Sequence, residues 1–217
     1  MAARSVPGFI PSLHGFRFAN VWPSVPAYWV GFSLLRLGLG DAGRGFCGGM
    51  AHAVRDRFER GEAPPVDAAV PPAGSPLFAE IARRQVDSFD RLVVVPLRFW
   101  WGSLETATAR DRTTATAAWP AIRAEIDAGR LAMIGLVRSA GFNPLRSGLG
   151  HQVVGYRYDE SGDRVAIGIY DPNHPGDDGV ELIVDRGTNG RLALSQSTGE
   201  PLLGLLALPY VKPRSGG

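Results

Sequence analysis

The pattern of apolar and polar positions changes character about two-thirds of the way along the chain. Ahead of that point the periodic segments are helical. After Gly43, Gly45 and Phe46, the stretch Cys47 to Glu59 puts Met50, Val54, Arg57 and Phe58 at helical spacing, and Arg60-Gly61 follows as a stop. This predicts a helix that begins at or beside Cys47. Ser75-Pro76 reads as an N-cap with proline at the first helical position, and Leu77, Ile81, Val86 and Phe89 supply an apolar stripe for a second helix ending near Phe89. A third is predicted over Thr113 to Asp127, with Trp119, Ile122 and Ile126 on one face and Gly129 beyond its end. Between the second and third, Leu92 to Trp101 is apolar and β-branched and predicts a strand with Pro96 at an edge or bulge. The first forty residues mix Phe16, Phe18, Trp22, Tyr28 and Trp29 with Pro and Gly and show no sustained period. They read as ordered loop whose aromatics need burying. Gly61 to Gly74 carries four prolines and reads as a linker or crossing.

From Leu131 the signal becomes strand-like. Leu131 to Val137 is a buried run, Gln152 to Asp159 and Arg164 to Asp171 alternate around a polar turn, and Val180 to Asp185, Arg191 to Ser195 and Leu202 to Val211 are further candidates. Helices ahead of strands predict an α+β fold, with a helical part over about 1–130 and a β part over about 131–217. At 217 residues, 45% hydrophobic and 20% charged, the chain suits a single domain, 1–217, and disorder is excluded as its general state.

Charge and cysteine content narrow the classes further. The 23 basic side chains, of which Lys212 is the only lysine, exceed the 21 acidic ones too slightly for a nucleic-acid footprint. Arg98, Phe99, Trp100 and Trp101 interleave base and aromatics as single-strand binders do, but in a segment apolar enough to be core. The apolar stretch Ala27 to Gly40 is short of the roughly 20 residues that span a membrane and contains Arg36. Pro7, Pro11 and His14 interrupt the place where a signal peptide would need an apolar run. A cytoplasmic location is expected, or release by a route without a general secretion signal. The single cysteine, Cys47, excludes an intrachain disulfide and any four-cysteine or Cys2His2 zinc site. Gly38-Leu39-Gly40 lacks the third glycine of a dinucleotide fingerprint, and there is no phosphate loop, so no cofactor is expected. Asp171, Asn173, His174, Asp177 and Asp178 fall in one loop but lack the spacing and final Glu of a calcium-binding loop, and a solvated acidic loop is the better reading. His14 and His52 have no partners in the sequence.

Cys47 itself is the positive signal. A thiol acts as a nucleophile only as thiolate, and a helix N-terminus lowers its pKa through unpaired N–H groups and the helix dipole. The surrounding GRGFCGGM lets the backbone turn tightly and lets a carbonyl approach the Cys47 N–H. A buried cysteine can equally be a small hydrophobe, so the decisive question is whether a base and an orienter arrive from elsewhere. His151 opens a strand, and the turn Glu160-Ser161-Gly162-Asp163 returns the chain to Tyr170-Asp171-Pro172-Asn173. With Ser161-Gly162 as a two-residue loop His151 faces Pro172, and one step of register either way sets it opposite Asp171 or Asn173. Either could accept from the imidazole N–H.

In Gly45-Phe46-Cys47-Gly48-Gly49-Met50, Gly150-His151-Gln152-Val153-Val154-Gly155-Tyr156 and Tyr170-Asp171-Pro172-Asn173, the chain resembles papain-like cysteine peptidases, particularly the bacterial double-glycine-leader branch. The resemblance covers the order of elements over about residues 15–175. It implies a helical lobe whose nucleophile helix packs on an antiparallel sheet, Cys47 as nucleophile, His151 as base and acid, and Asp171 or Asn173 as orienter. It also implies a peptide or protein substrate. The family's Gln a few residues before the Cys is missing from Asp41 to Phe46; Asn20 is the candidate substitute oxyanion donor, with an Asx-turn residue as its other reading. Acyl transfer to an amine, as in transglutaminase-like enzymes, would use the same triad. A non-catalytic binding module of the same fold is the alternative that the missing Gln suggests.

Overall fold

The alternation that starts at His151 produces an eleven-residue strand on which the rest of the sheet is built. The computed structural model describes residues 1–32, 35–39, 41–90, 94–141, 150–187 and 191–213. In chain order the strands are β1 (Ala2–Ser5), β2 (Tyr28–Phe32), β3 (Leu35–Leu39), β4 (Ala132–Val137), β5 (His151–Ser161), β6 (Arg164–Tyr170), β7 (Glu181–Arg186), β8 (Leu192–Gln196) and β9 (Gly204–Ala207). The helices are α1 (Pro11–His14), α2 (Cys47–Glu59), α3 (Pro76–Asp87), α4 (Val94–Leu104), α5 (Ala107–Thr113) and α6 (Trp119–Asp127). The fold is therefore mixed α+β. Its main sheet runs β8-β7-β6-β5-β4-β9, with β1 also on β5, and every pairing is antiparallel. A hairpin of β2 and β3 stands apart from it.

On one flank of β5 the first half, from His151, pairs with β4 and the second half with β1. On the other flank β6 ends at Tyr170, opposite Val154, so His151 has a loop beside it there rather than a strand. The hairpin turn is Gly162-Asp163, with Ser161 opposite Arg164, one residue later than the sequence suggests. A bulge between Gly155 and Arg157 then moves the register back by one. Continued past Tyr170, that register brings Asp171 level with Val153, on the face that His151 shares.

The helix beginning at Cys47 is found where its pattern places it. The second begins behind Ser75, whose side chain accepts from the Phe78 N–H at 3.2 Å. Two expectations are corrected. Leu92 to Trp101 is not a strand: its first two positions lie outside the described residues, and from Val94 on it is α4. Val95, Phe99, Gly102 and Ser103 are the buried positions, a helical spacing, and Pro96 falls in the first turn, where no intrahelical donor is needed. The first forty residues are not loop throughout, since β1 pairs with β5 and β2 with β3; of the Ala27 to Gly40 stretch, Gly40 and residues 33–34 lie outside the described residues. The partner that makes β1 a strand is the free flank of β5, far away in sequence, which local pattern cannot report. The third helix starts earlier than its stripe. Thr106 caps α5, and Thr114 to Ala118 form a π turn in which the Trp119 N–H donates to Thr114 O. Pro120 cannot donate to the residue four back, and the widened turn accommodates that. The last strand is shorter than expected, because Pro209 has no N–H with which to extend β9 beyond Leu208.

One hydrophobic cluster runs from Val6 to Leu208. In it α6 packs on β1, β4, β5 and β9, and α2 packs on β5 with α3 against it. The segment after β9 is tied across α2 and α3 by a buried charge network. Arg84 meets Asp56 at 2.8 Å and Asp87 at 2.6 Å, donates to Val211 O at 2.7 Å, and Tyr210 Oη donates to Asp56 at 2.6 Å. No helix among the described residues is long and apolar enough to cross a membrane.

Candidate active site

Cys47 is the first residue of α2, and the chain reaches it through a backbone that only glycine tolerates at position 45. Gly45 has φ 85°, and a Cβ there would stand 2.7 Å from Asn20 Nδ2. The next two glycines serve close approach. A Cβ at Gly48 would lie 2.3 Å from Ser88 Oγ, and one at Gly49 would lie 2.2 Å from the Ile81 carbonyl oxygen. The first turn of α2 is thus pressed against α3 and β5 by residues that lack side chains.

Of the N–H groups of that turn, one reaches the sulfur. Gly49 N–H is taken by Gln85 Oε1 at 2.8 Å, and Gly48 N–H points to the thiol. Cys47 N–H has no acceptor among the described residues. From the other side, the His151 imidazole and the Gln152 N–H face the thiol and favour its anion. Cys47 is partly exposed. Burial pushes its pKa up, but the His151 hydrogen bond and charge, with the Gln152 and Gly48 N–H groups, outweigh it and leave the thiol below its ordinary value.

His151 is buried, and its Nε2–H donates to Asp171 Oδ1 at 2.6 Å, which leaves Nδ1 for Cys47. Burial lowers the imidazole pKa, yet Asp171 and Cys47 together raise it to about 9. Asp171 is itself buried, which would favour its acid form; the His151 hydrogen bond and charge, the Asn173 N–H at 2.8 Å and the Arg138 charge hold it below the usual carboxylate range. Thiolate, imidazolium and carboxylate are therefore the mutually stabilised forms.

Of the two candidate orienters, Asp171 holds the ring. Asp171 is a diagonal neighbour of His151 rather than its opposite number. Asn173, which the register would set opposite His151, instead turns away: its N–H folds back on Asp171 Oδ1 and its Oδ1 accepts from Asn20 Nδ2 at 3.4 Å. Asn20 lies beside the nucleophile turn. Its Oδ1 accepts from the Phe46 N–H at 2.6 Å and from Trp22 Nε1 at 2.9 Å, and its N–H donates to Pro172 O at 2.9 Å. Both partners of Oδ1 can only donate, which fixes the amide with Nδ2 on the other side. The early aromatics explain the placement: Trp22, Phe46 and Phe78 meet edge to face with centroids 5.0 to 5.7 Å apart, so the loop that carries Asn20 is packed onto the residue before Cys47.

The remaining candidates resolve into structural roles. His52 stacks on Tyr210, its Nδ1–H donates to Gly48 O at 2.9 Å, and burial with the Arg84 charge lowers its pKa to about 3, so it stays neutral. His14 stacks on Phe9. In the acidic loop Asp178 accepts from the Ser12 N–H and hydroxyl, and among the described residues no group of three potential metal ligands occurs. Phe99 is buried in core, where a Cβ at Gly150 or Gly135 would strike its ring, whereas Trp101 is exposed beside a concavity of about 440 Å3 lined also by Leu97 and Leu206. The sequence did not single out Gln152, Gln85, Gln196 or Arg138; only Gln152, next to His151, carried a positional hint. Comparison of the chain with protein-family models, with curated proteins and with solved structures finds no match.

Proposed function

We propose that the chain is a papain-like cysteine hydrolase, a peptidase or amidase acting through an acyl-enzyme on Cys47, with the helical part and its nucleophile helix packed on the antiparallel sheet. The observation that carries this reading is the placement of Cys47 at the first residue of α2 beside His151, whose Nε2–H donates to Asp171 Oδ1 at 2.6 Å.

The Cys47 thiolate attacks a carbonyl carbon, forming the C–S bond as the carbonyl π pair moves onto oxygen. The Cys47 N–H stabilises that oxyanion, with Asn20 Nδ2 as second donor in place of the family's glutamine. The His151 imidazolium gives its Nδ1 proton to the leaving amine, the C–N bond breaks and a thioester remains. His151 then takes a proton from water, which attacks the thioester and releases the acid and the thiolate. Asp171 keeps Nδ1 aimed at the reacting atoms and stabilises the charged ring. An amine in place of water gives acyl transfer with the same residues.

Alkylation of Cys47 by iodoacetamide tests the reading without a substrate. The rate is expected to be high already at mildly acidic pH and to fall when His151 is changed to Ala. A rate that follows an ordinary thiol, with its midpoint near pH 8.5, would refute it.

A further inference from the structure

Asp171 is held by more than the histidine it faces. Its second oxygen, Oδ2, accepts from Gln196 Nε2 at 2.9 Å at the end of β8, and Arg138 Nη2 stands 3.7 Å away, just past the end of β4. Arg138 Nη2 also donates to Gln196 Oε1 at 2.8 Å. The chemistry fixes the amide: an arginine can only donate and a carboxylate can only accept, so Oε1 must face Arg138 and Nε2 must face Asp171. The second Nε2–H goes to Thr198 Oγ1 at 2.7 Å, Thr198 donates to Glu200, and His174 Nε2 donates to the same carboxylate at 2.6 Å. Both Gln196 N–H donors and the Thr198 hydroxyl thus have acceptors, while Arg138 Nε has none among the described residues. Gln196 is 4% exposed, so it has little access to solvent as an alternative partner.

From this we infer that Gln196 and Arg138 are positioning residues for the His151–Asp171 pair, keeping the buried carboxylate ionised with Oδ1 turned to the imidazole. The inference rests on the hydrolase reading above. Without the Gln196 N–H and the Arg138 charge, Oδ2 would be a buried, unpaired anionic oxygen. It would then recover by rotating toward another donor or by taking a proton. Either outcome withdraws support from the imidazolium, and through it from the thiolate. Among the described residues, the charged and titratable groups about Asp171 are His151 on β5, Arg138 after β4 and the neighbouring Tyr170 on β6, with Cys47 beyond His151 and Glu200 and His174 beyond Thr198.

The test is the pH dependence of Cys47 alkylation in wild type, Gln196→Met and Arg138→Met, beside the Tm of each. In both variants the midpoint is expected to move up by about one pH unit, about a tenfold loss of thiolate at a fixed mildly acidic pH. A role confined to stability would lower Tm and leave the midpoint unchanged, and that result overturns the inference while the hydrolase reading stands. A wild-type midpoint near 8.5 overturns both. Arg138 is partly exposed, so Arg138→Met keeps the test decisive if Gln196→Met does not fold.

Discussion

Gly49→Ala sets two physical effects against each other. Alanine in a helix interior is favoured over glycine by about 1 kcal/mol, so propensity alone raises stability. The structure gives the opposite sign. The added Cβ would lie 2.2 Å from the Ile81 carbonyl oxygen and 2.9 Å from the Gln85 N. Both are backbone atoms of α3, and neither can swing aside as a side chain could. A carbon rests comfortably about 3.3 Å from a carbonyl oxygen, so α2 and α3 must part by about 1 Å at this crossing. Overpacking of that kind costs about 1–3 kcal/mol, and the parting also strains the bond from Gln85 Oε1 to the Gly49 N–H, worth about 1 kcal/mol. After the propensity gain, a net loss of about 2 kcal/mol remains, which in a chain of this length lowers Tm by about 4–8 °C. The same displacement moves Cys47, two residues away, relative to His151. A misplacement of about 1 Å at reacting atoms can cost about a hundredfold in rate. Thermal unfolding followed by circular dichroism and the iodoacetamide rate at pH 6 check the two halves separately. A Tm at or above wild type together with an unchanged alkylation rate would refute the close-approach argument.

Three other outcomes can be measured. Arg84→Met leaves Asp56 buried without its cationic partner, with only the Tyr210 hydroxyl, and is expected to cost about 3–5 kcal/mol, whereas the double variant Arg84→Met/Asp56→Leu recovers much of the loss; denaturant unfolding of both decides it. The His151 ring, followed by NMR, should keep its proton from mildly acidic pH upward and lose it only as pH rises through about 9, with the midpoint falling in Cys47→Ala because the thiolate charge is gone; a midpoint near 6.5 in wild type contradicts the ion pair. Ser75→Ala removes the N-cap of α3 and should cost about 1 kcal/mol in thermal unfolding with the alkylation profile unchanged.

What the sequence could carry was decided by the range of the forces involved. The start of α2 was legible because Phe46-Cys47-Gly48-Gly49 and the stripe behind it are local, and so was the cap at Ser75. The contact of His151 with Asp171 was legible only to within one register step, since the bulge between Gly155 and Arg157 shifts the pairing by one and the turn residues do not encode it. The segment around Pro96 was misread because an apolar run of β-branched residues suits a buried helix as well as a strand, and the spacing of Val95, Phe99 and Gly102 settles it only once the packed face is known. Gln196 ends β8 and Arg138 follows β4, with nothing local to join them, and they become legible only when β8 and the end of β4 meet at Asp171.

The stations of the line from Cys47 to Asp171 are widely separated along the chain, and this bears on when the thiol becomes reactive. His151 and Gln152, which with Gly48 hold the thiol pKa down, lie in β5, on the far side of all six helices in sequence. A growing chain that has made α2 but not yet β5 has the helix N-terminus and the Gly48 N–H at its thiol but lacks the base His151 and the Gln152 N–H. Reactivity is therefore a product of the late, non-local closure of the sheet on α2, and the slowest contacts to form are the ones that arm the nucleophile. Until β5 closes, the unfinished chain carries its thiol without its base.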